Sequence, residues 1–174
     1  MKNNYLNQIS GLSIRARVAF SALCLENSIL YKKYNIEDYS IVLSVLWEYT
    51  SIQYIDDWQE RFVEVIPSVI ESANNYEDDD FSMLNRSDFF YLKSLYNKSD
   101  QIILDIIEKT FYVGTIDLYG AIESNSPESL SIMSDIIDLL VANNVPLPNL
   151  EPLLKFTLGP NGWGEKFERS ELFW

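Results

Sequence analysis

The 174 residues contain no histidine and a single cysteine, Cys24. Without histidine there is no imidazole acid–base catalysis, no histidine-based triad and no histidine-bound zinc. With one cysteine there is no internal disulfide and no four-cysteine metal site, and a reducing, cytoplasmic setting is expected. Glycine and proline number only six each, sparse for the tight turns of an all-β chain, so the balance leans helical. No apolar run is long enough to span a bilayer. The opening MKNNYLNQISG lacks the apolar stretch of a signal peptide. The phosphate-cradling and nucleophile-elbow patterns GxxxxGKS, GxxxxGKT, GxGxxG and GxSxG are missing, and GPNGWG near the end matches none of them.

Bases are scarce too. Lys and Arg total 13 against 26 Asp and Glu, a formal net charge of −13. Such a field repels nucleic acid and anionic lipid and attracts basic proteins. Its distribution is uneven: residues 1–33 carry +4, residues 34–85 carry −11 and residues 86–174 carry −6. The excess therefore sits in a middle block whose acids run from Glu37 to Asp80.

What is abundant is apolar: 47% hydrophobic and 14% aromatic residues, enough for the core of one domain. Apolar periodicity predicts a helix over Ile14–Tyr34, with Ile14, Val18, Leu25 and Ile29 on one face and Cys24 beside them as a small buried residue. A second helix is expected from Tyr39 to about Gln53, capped by Asp38. It is apolar on almost every side and therefore expected at the centre, with Glu48 at its rim. A third follows Asp56-Asp57, one of which can cap it, through Trp58, Phe62, Val65, Ile66 and Val69, and Pro67 ends or kinks it. Residues 71–85 read as loop. Ser87-Asp88 opens a fourth helix to Tyr96, and a fifth runs from about Asp100 to Ile122, where Gly114 and Gly120 permit close approach of a neighbour or, at Gly120, mark the helix end. Ser126-Pro127-Glu128 opens a sixth, to Ala142. Residues 145–156 are expected to be extended chain with a short helical piece, followed by an irregular aromatic tail packed on the bundle, with Trp47, Trp58 and Trp163 as packing residues and Trp174 undecided. The expected fold is an all-α, single-domain bundle of six to seven helices.

The candidate functional residues are carboxylates: Glu48, Asp56, Asp57, and the run Glu77, Asp78, Asp79, Asp80 between Tyr76 and Phe81. Three readings stand side by side. Acid runs are commonly solvated loops. They can bind a hard cation or serve carboxylate chemistry, although the run lacks the alternating ligands and central glycine of a calcium loop. Or they form a surface for a basic partner, a toxin-like protein or, for an acidic adaptor or nucleic-acid mimic, a host factor. No cofactor is expected and no catalytic residue is nominated. Oligomeric state is left open.

Six segments in order, RVAFSALCLE (17–26), VLWEYT (45–50), DDW (56–58), YEDDDF (76–81), NNVPLP (143–148) and GWGEKF (162–167), resemble small α-helical bacterial proteins of the immunity-protein type found in polymorphic and contact-dependent toxin systems. The resemblance spans nearly the whole chain and rests on packing segments. It implies a cytoplasmic, non-enzymatic protein that binds and neutralises one cognate toxin domain, a basic nuclease being one candidate. It carries over no contact residues.

Overall fold

The computed structural model describes residues 2–120, 122, 125–159 and 161–172, with Lys2 by its backbone only. The helices are α1 (Lys2–Ile9), α2 (Ile14–Tyr31), α3 (Ser40–Glu48), α4 (Ile55–Val63), α5 (Pro67–Ser72), α6 (Arg86–Tyr96), α7 (Gln101–Thr115) and α8 (Pro127–Ala142). Short 3-10 turns occupy Ile36–Tyr39, Tyr76–Asp78, Glu151–Leu153 and Arg169–Leu172. Among the described residues the one extended pairing is an isolated antiparallel bridge between Leu12 and Thr157. Among the described residues no helix is long and apolar enough to cross a membrane. The fold is thus the all-α bundle expected: the six expected helices are present, one of them in two pieces, and α1 joins them.

The centre of the bundle is α2, not α3. α2 packs against α3, α7 and α8, and its buried residues include Ile14, Ala16, Val18, Ala19, Phe20, Ala22, Cys24, Leu25 and Ile29. Alanines at 16, 19 and 22 turn several sides into contact surface, because a short side chain lets neighbouring helices come close on every flank. α3 is more apolar in sequence yet lies at the edge: Val42, Leu43, Leu46 and Trp47 are buried, while Ser40, Ser44 and Glu48 form an exposed stripe. Glu48 is therefore at the rim, as its charge requires.

Helix ends follow local chemistry that differs from the expectation in several places. Asp38 caps nothing. Asn35 caps the 3-10 turn before α3, its side chain accepting from the Glu37 N–H at 3.3 Å, and α3 begins without a side-chain cap and stops at Glu48. Tyr54, not an aspartate, is the N-cap of α4, and Asp56 and Asp57 sit in its first turn, where their charge faces the positive end of the helix. Pro67 starts α5 rather than ending a long helix, since its missing N–H is harmless at the first position. Asn85, not Ser87, caps α6, accepting from the Asp88 N–H at 3.0 Å. α7 ends at Thr115, short of Ile122, in a turn closed by Leu118 and Gly120 N–H groups. Ser126 caps α8 as expected, from a left-handed φ of 49°.

The tail is held by backbone hydrogen bonds to α2. The helix leaves its first N–H groups without internal partners. Ile14 N–H donates to the Gly162 carbonyl at 3.1 Å and Arg15 N–H to the Trp163 carbonyl at 3.3 Å, while Ser13 N–H donates to Phe156. Gly164 (φ +81°) lies so close to Ser13 that a Cβ there would overlap it. Phe156 and Phe167 stack at 3.8 Å between ring centres. Trp58 is fully buried and Trp47 nearly so; Trp163 is half-buried against the core. Trp174 lies outside the described residues.

Candidate functional site

All seven acids singled out from the sequence are exposed. They occupy the two ends of α4. Asp56 and Asp57 are in its first turn, and Glu48 is tied to α4 by Arg61 of the last turn, which contacts the Glu48 carboxylate at 2.8 Å and donates from Nε back to the Asp57 carbonyl at 3.2 Å. The run Glu77–Asp80 belongs to the other end, because Glu64, the residue that follows α4, grips the loop behind the run. From Asp57 to Glu64 a helical rise amounts to roughly 10 Å. The acids therefore form two groups flanking one helix.

Glu64 was not singled out by the sequence, and its carboxylate accepts four hydrogen bonds. It is 7% exposed. Oε1 accepts from the Ser82 N–H at 2.7 Å and the Ser82 hydroxyl at 2.8 Å, and Oε2 from the Met83 N–H at 2.9 Å and the Leu84 N–H at 2.6 Å. Burial pushes its pKa up, but the hydrogen bonds from residues 82–84 outweigh that and hold the carboxyl below its ordinary value. The only trace in the sequence is an acid amid Phe62, Val63, Val65 and Ile66.

The loop that Glu64 anchors is built, not loose. Asn75 and Asp78 exchange side-chain-to-backbone bonds in a capping box, the Asn75 N–H reaching Asp78 Oδ2 at 2.8 Å. Asp79 Oδ1 accepts from the Asp80 N–H at 2.9 Å. Tyr76 stacks on Phe81 at 5.4 Å, and both rings meet Phe89 of α6. Glu77 pairs with Arg86, whose guanidinium lies 5.5 Å from the Phe90 ring. The flanking aromatics thus face the protein and the acids face water.

A shallow cleft of about 420 Å³ lies between α2, α3 and the tail, lined by Glu26, Glu37, Ser40, Ser44, Trp47 and Arg169 among others. Glu26 Oε1 accepts from the Trp47 indole N–H at 2.7 Å and pairs with Arg169 at 2.8 Å. The Arg169 guanidinium lies 5.0 Å from the Trp47 ring. The charge in this cleft is spent on fastening the tail.

Two buried arginines complete the polar interior. Arg15 donates to the Tyr49 and Ile52 carbonyls. Arg17, wholly buried, donates to the carbonyls of Ser10, Leu12, Asn125 and Ser126. Burial lowers its pKa to about 10 against the opposing pull of Asp117, so it stays charged at neutral pH. Burial pushes the Cys24 thiol well above its ordinary value, leaving an unreactive residue. Among the described residues no three Cys, Asp or Glu side chains gather closely enough to hold a metal ion.

Compared with protein-family models, curated proteins and solved structures, the chain finds no match.

Proposed function

We propose that this protein is a cytoplasmic bacterial immunity protein that binds a basic toxin domain through the acids of its middle block. One observation carries the reading: Glu48, Asp56, Asp57, Glu77, Asp78, Asp79 and Asp80 are all exposed, and among the described residues only Glu48 and Glu77 are ion-paired. The block holding them is −11, and most of that charge is directed at solvent instead of being consumed in the interior. A nuclease toxin carries a basic groove shaped for phosphates. An acidic surface on a fixed scaffold speeds encounter with such a groove and can occupy it. The helical fold and the family-like segments agree with this role.

The test is co-purification with the product of the neighbouring upstream gene, with salt titrated across the complex. A complex is expected at low salt that weakens as salt rises. Charge reversal at 56–57 and 77–80 together should abolish protection of cells expressing the toxin. Failure to form a complex at low salt, or protection that survives the reversal, overturns the proposal.

A further inference from the structure

α7 leaves an apolar stripe uncovered where it ends. Tyr112, Ile116 and Tyr119 follow at helical spacing, and all three are exposed, Tyr119 to 86%. The core-facing side of the same helix is already supplied by Ile103, Ile107, Phe111 and Gly114; Tyr112 rests edge-on against Phe111 and leaves the rest of its ring to solvent. The Tyr119 hydroxyl donates to the Gln59 side chain at 2.8 Å, which joins the stripe to α4. On α4, Asp56 and Glu60 are exposed at i−3 and i+1 from Gln59, and among the described residues no base pairs with either. Nearby bases are turned elsewhere: Arg61 to Glu48, Lys109 to Asp135. Another exposed apolar patch, Met83 and Phe90 beside the acidic run, has Arg86 over Phe90. There Arg86, itself paired with Glu77, covers the ring face, whereas among the described residues no cation lies over the Tyr112 or Tyr119 ring.

We infer that a basic amphipathic helix of the protein partner docks on the α4–α7 edge, with Tyr112, Ile116 and Tyr119 as apolar anchors and Asp56 and Glu60 as its charged rim. This rests on the partner-binding reading above and narrows it. Exposed tyrosines beside unpaired acids are the composition of a contact centre for a cationic partner, since the rings supply area at low entropic cost and the carboxylates complement its charge. The run 77–80 then acts at long range. Asp78 and Asp79 are tied to their own loop, and the contribution left to them is the field that steers encounter.

Kinetics separate the two roles, because steering charges act on association and buried anchors on dissociation. The probe is a synthetic amphipathic helical peptide with lysines on one face and leucines on the other, titrated into the full-length chain. Amide shifts are expected to centre on α4 and the end of α7. Tyr119→Ala with Ile116→Ala should speed dissociation on the order of tenfold. Asp78, Asp79 and Asp80 all changed to lysine should slow association and leave dissociation within about twofold. Tyr119→Ala alone, at a nearly fully exposed position, guards against a folding artefact and should move dissociation in the same direction. Shifts centred on 76–90, unchanged dissociation in the anchor variants, or no binding of the peptide overturns the assignment. The outcome is separable from the function itself. A neighbouring gene product that fails to co-purify sinks the immunity reading even where the peptide binds the edge. A complex indifferent to Tyr119 and Ile116 sinks the edge and leaves that reading standing.

Discussion

Glu64 shows how much one carboxylate can organise. Its two oxygens receive four hydrogen bonds from residues 82–84, and they tie the acidic loop to the end of α4. Removing it strands three backbone N–H groups. Glu64→Ala is expected to destabilise the protein by about 2–3 kcal/mol at pH 7, measured by urea unfolding. The sign of the pH dependence follows from its lowered native pKa. The stabilisation is whole above the unfolded carboxyl's value, about 4.3, and fades as pH falls through the lower native value. The gap between wild type and variant should therefore narrow below about pH 4. A gap independent of pH would show that the hydrogen bonds are not to the ionised form.

At the scale of elements, the packing of α4 on α7 turns on Gly114. A Cβ there would lie 3.0 Å from the Trp58 ring and 3.0 Å from the Tyr49 ring. Neither ring is free to yield. The Trp58 indole N–H donates to the Val45 carbonyl at 2.7 Å, and the Tyr49 hydroxyl donates to the Gly114 carbonyl at 2.9 Å. Trp58 further packs on Tyr49 at 4.6 Å and Phe62 at 4.7 Å. Gly114→Ala is expected to cost about 1–3 kcal/mol of crowding, which exceeds the roughly 1 kcal/mol of helix propensity gained. Among the described residues nothing lies within 4 Å of where a Cβ at Gly120 would sit, so Gly120→Ala should change the melting temperature little. Equal effects at the two positions would remove the close-approach explanation. Close approach was legible in the sequence at both glycines, and a helix end as the alternative at 120; only the fold distinguishes a wedge at 114 from a turn at 120.

For the whole molecule, −13 spread over 174 residues opposes compaction by self-repulsion. Salt screens it. Raising sodium chloride from low to about 0.5 M is expected to raise the melting temperature by about 3 °C, equivalent to about 1 kcal/mol for a chain of this size. A melting temperature that falls with salt would instead assign net stability to ion pairs such as Glu48–Arg61 and Lys32–Asp100. The same screening weakens the proposed partner complex, so stability and binding should respond to salt in opposite directions.

The sequence by itself determined the class of fold, most helix positions and the surface exposure of the seven candidate acids, because apolar periodicity and charge solvation are local properties. It also anticipated Glu48 at a rim and Cys24 in the interior. It did not reveal which helix is central. α3 is the more apolar, but α2 has the alanines that let several neighbours close in, and that is a property of neighbours. Nor could it show Glu64, Arg17 or the tail's grip on α2. Their partners lie 18 or more residues away for Glu64, more than 100 away for Arg17 at Asn125 and Ser126, and at Gly162 and Trp163 for α2. The run 76–81 illustrates both halves. Its charge was readable in the order of its residues, whereas its division into two aromatics facing inward, one paired glutamate, and Asp78 and Asp79 bound to the loop's own backbone was decided only when α4 and α6 closed around it.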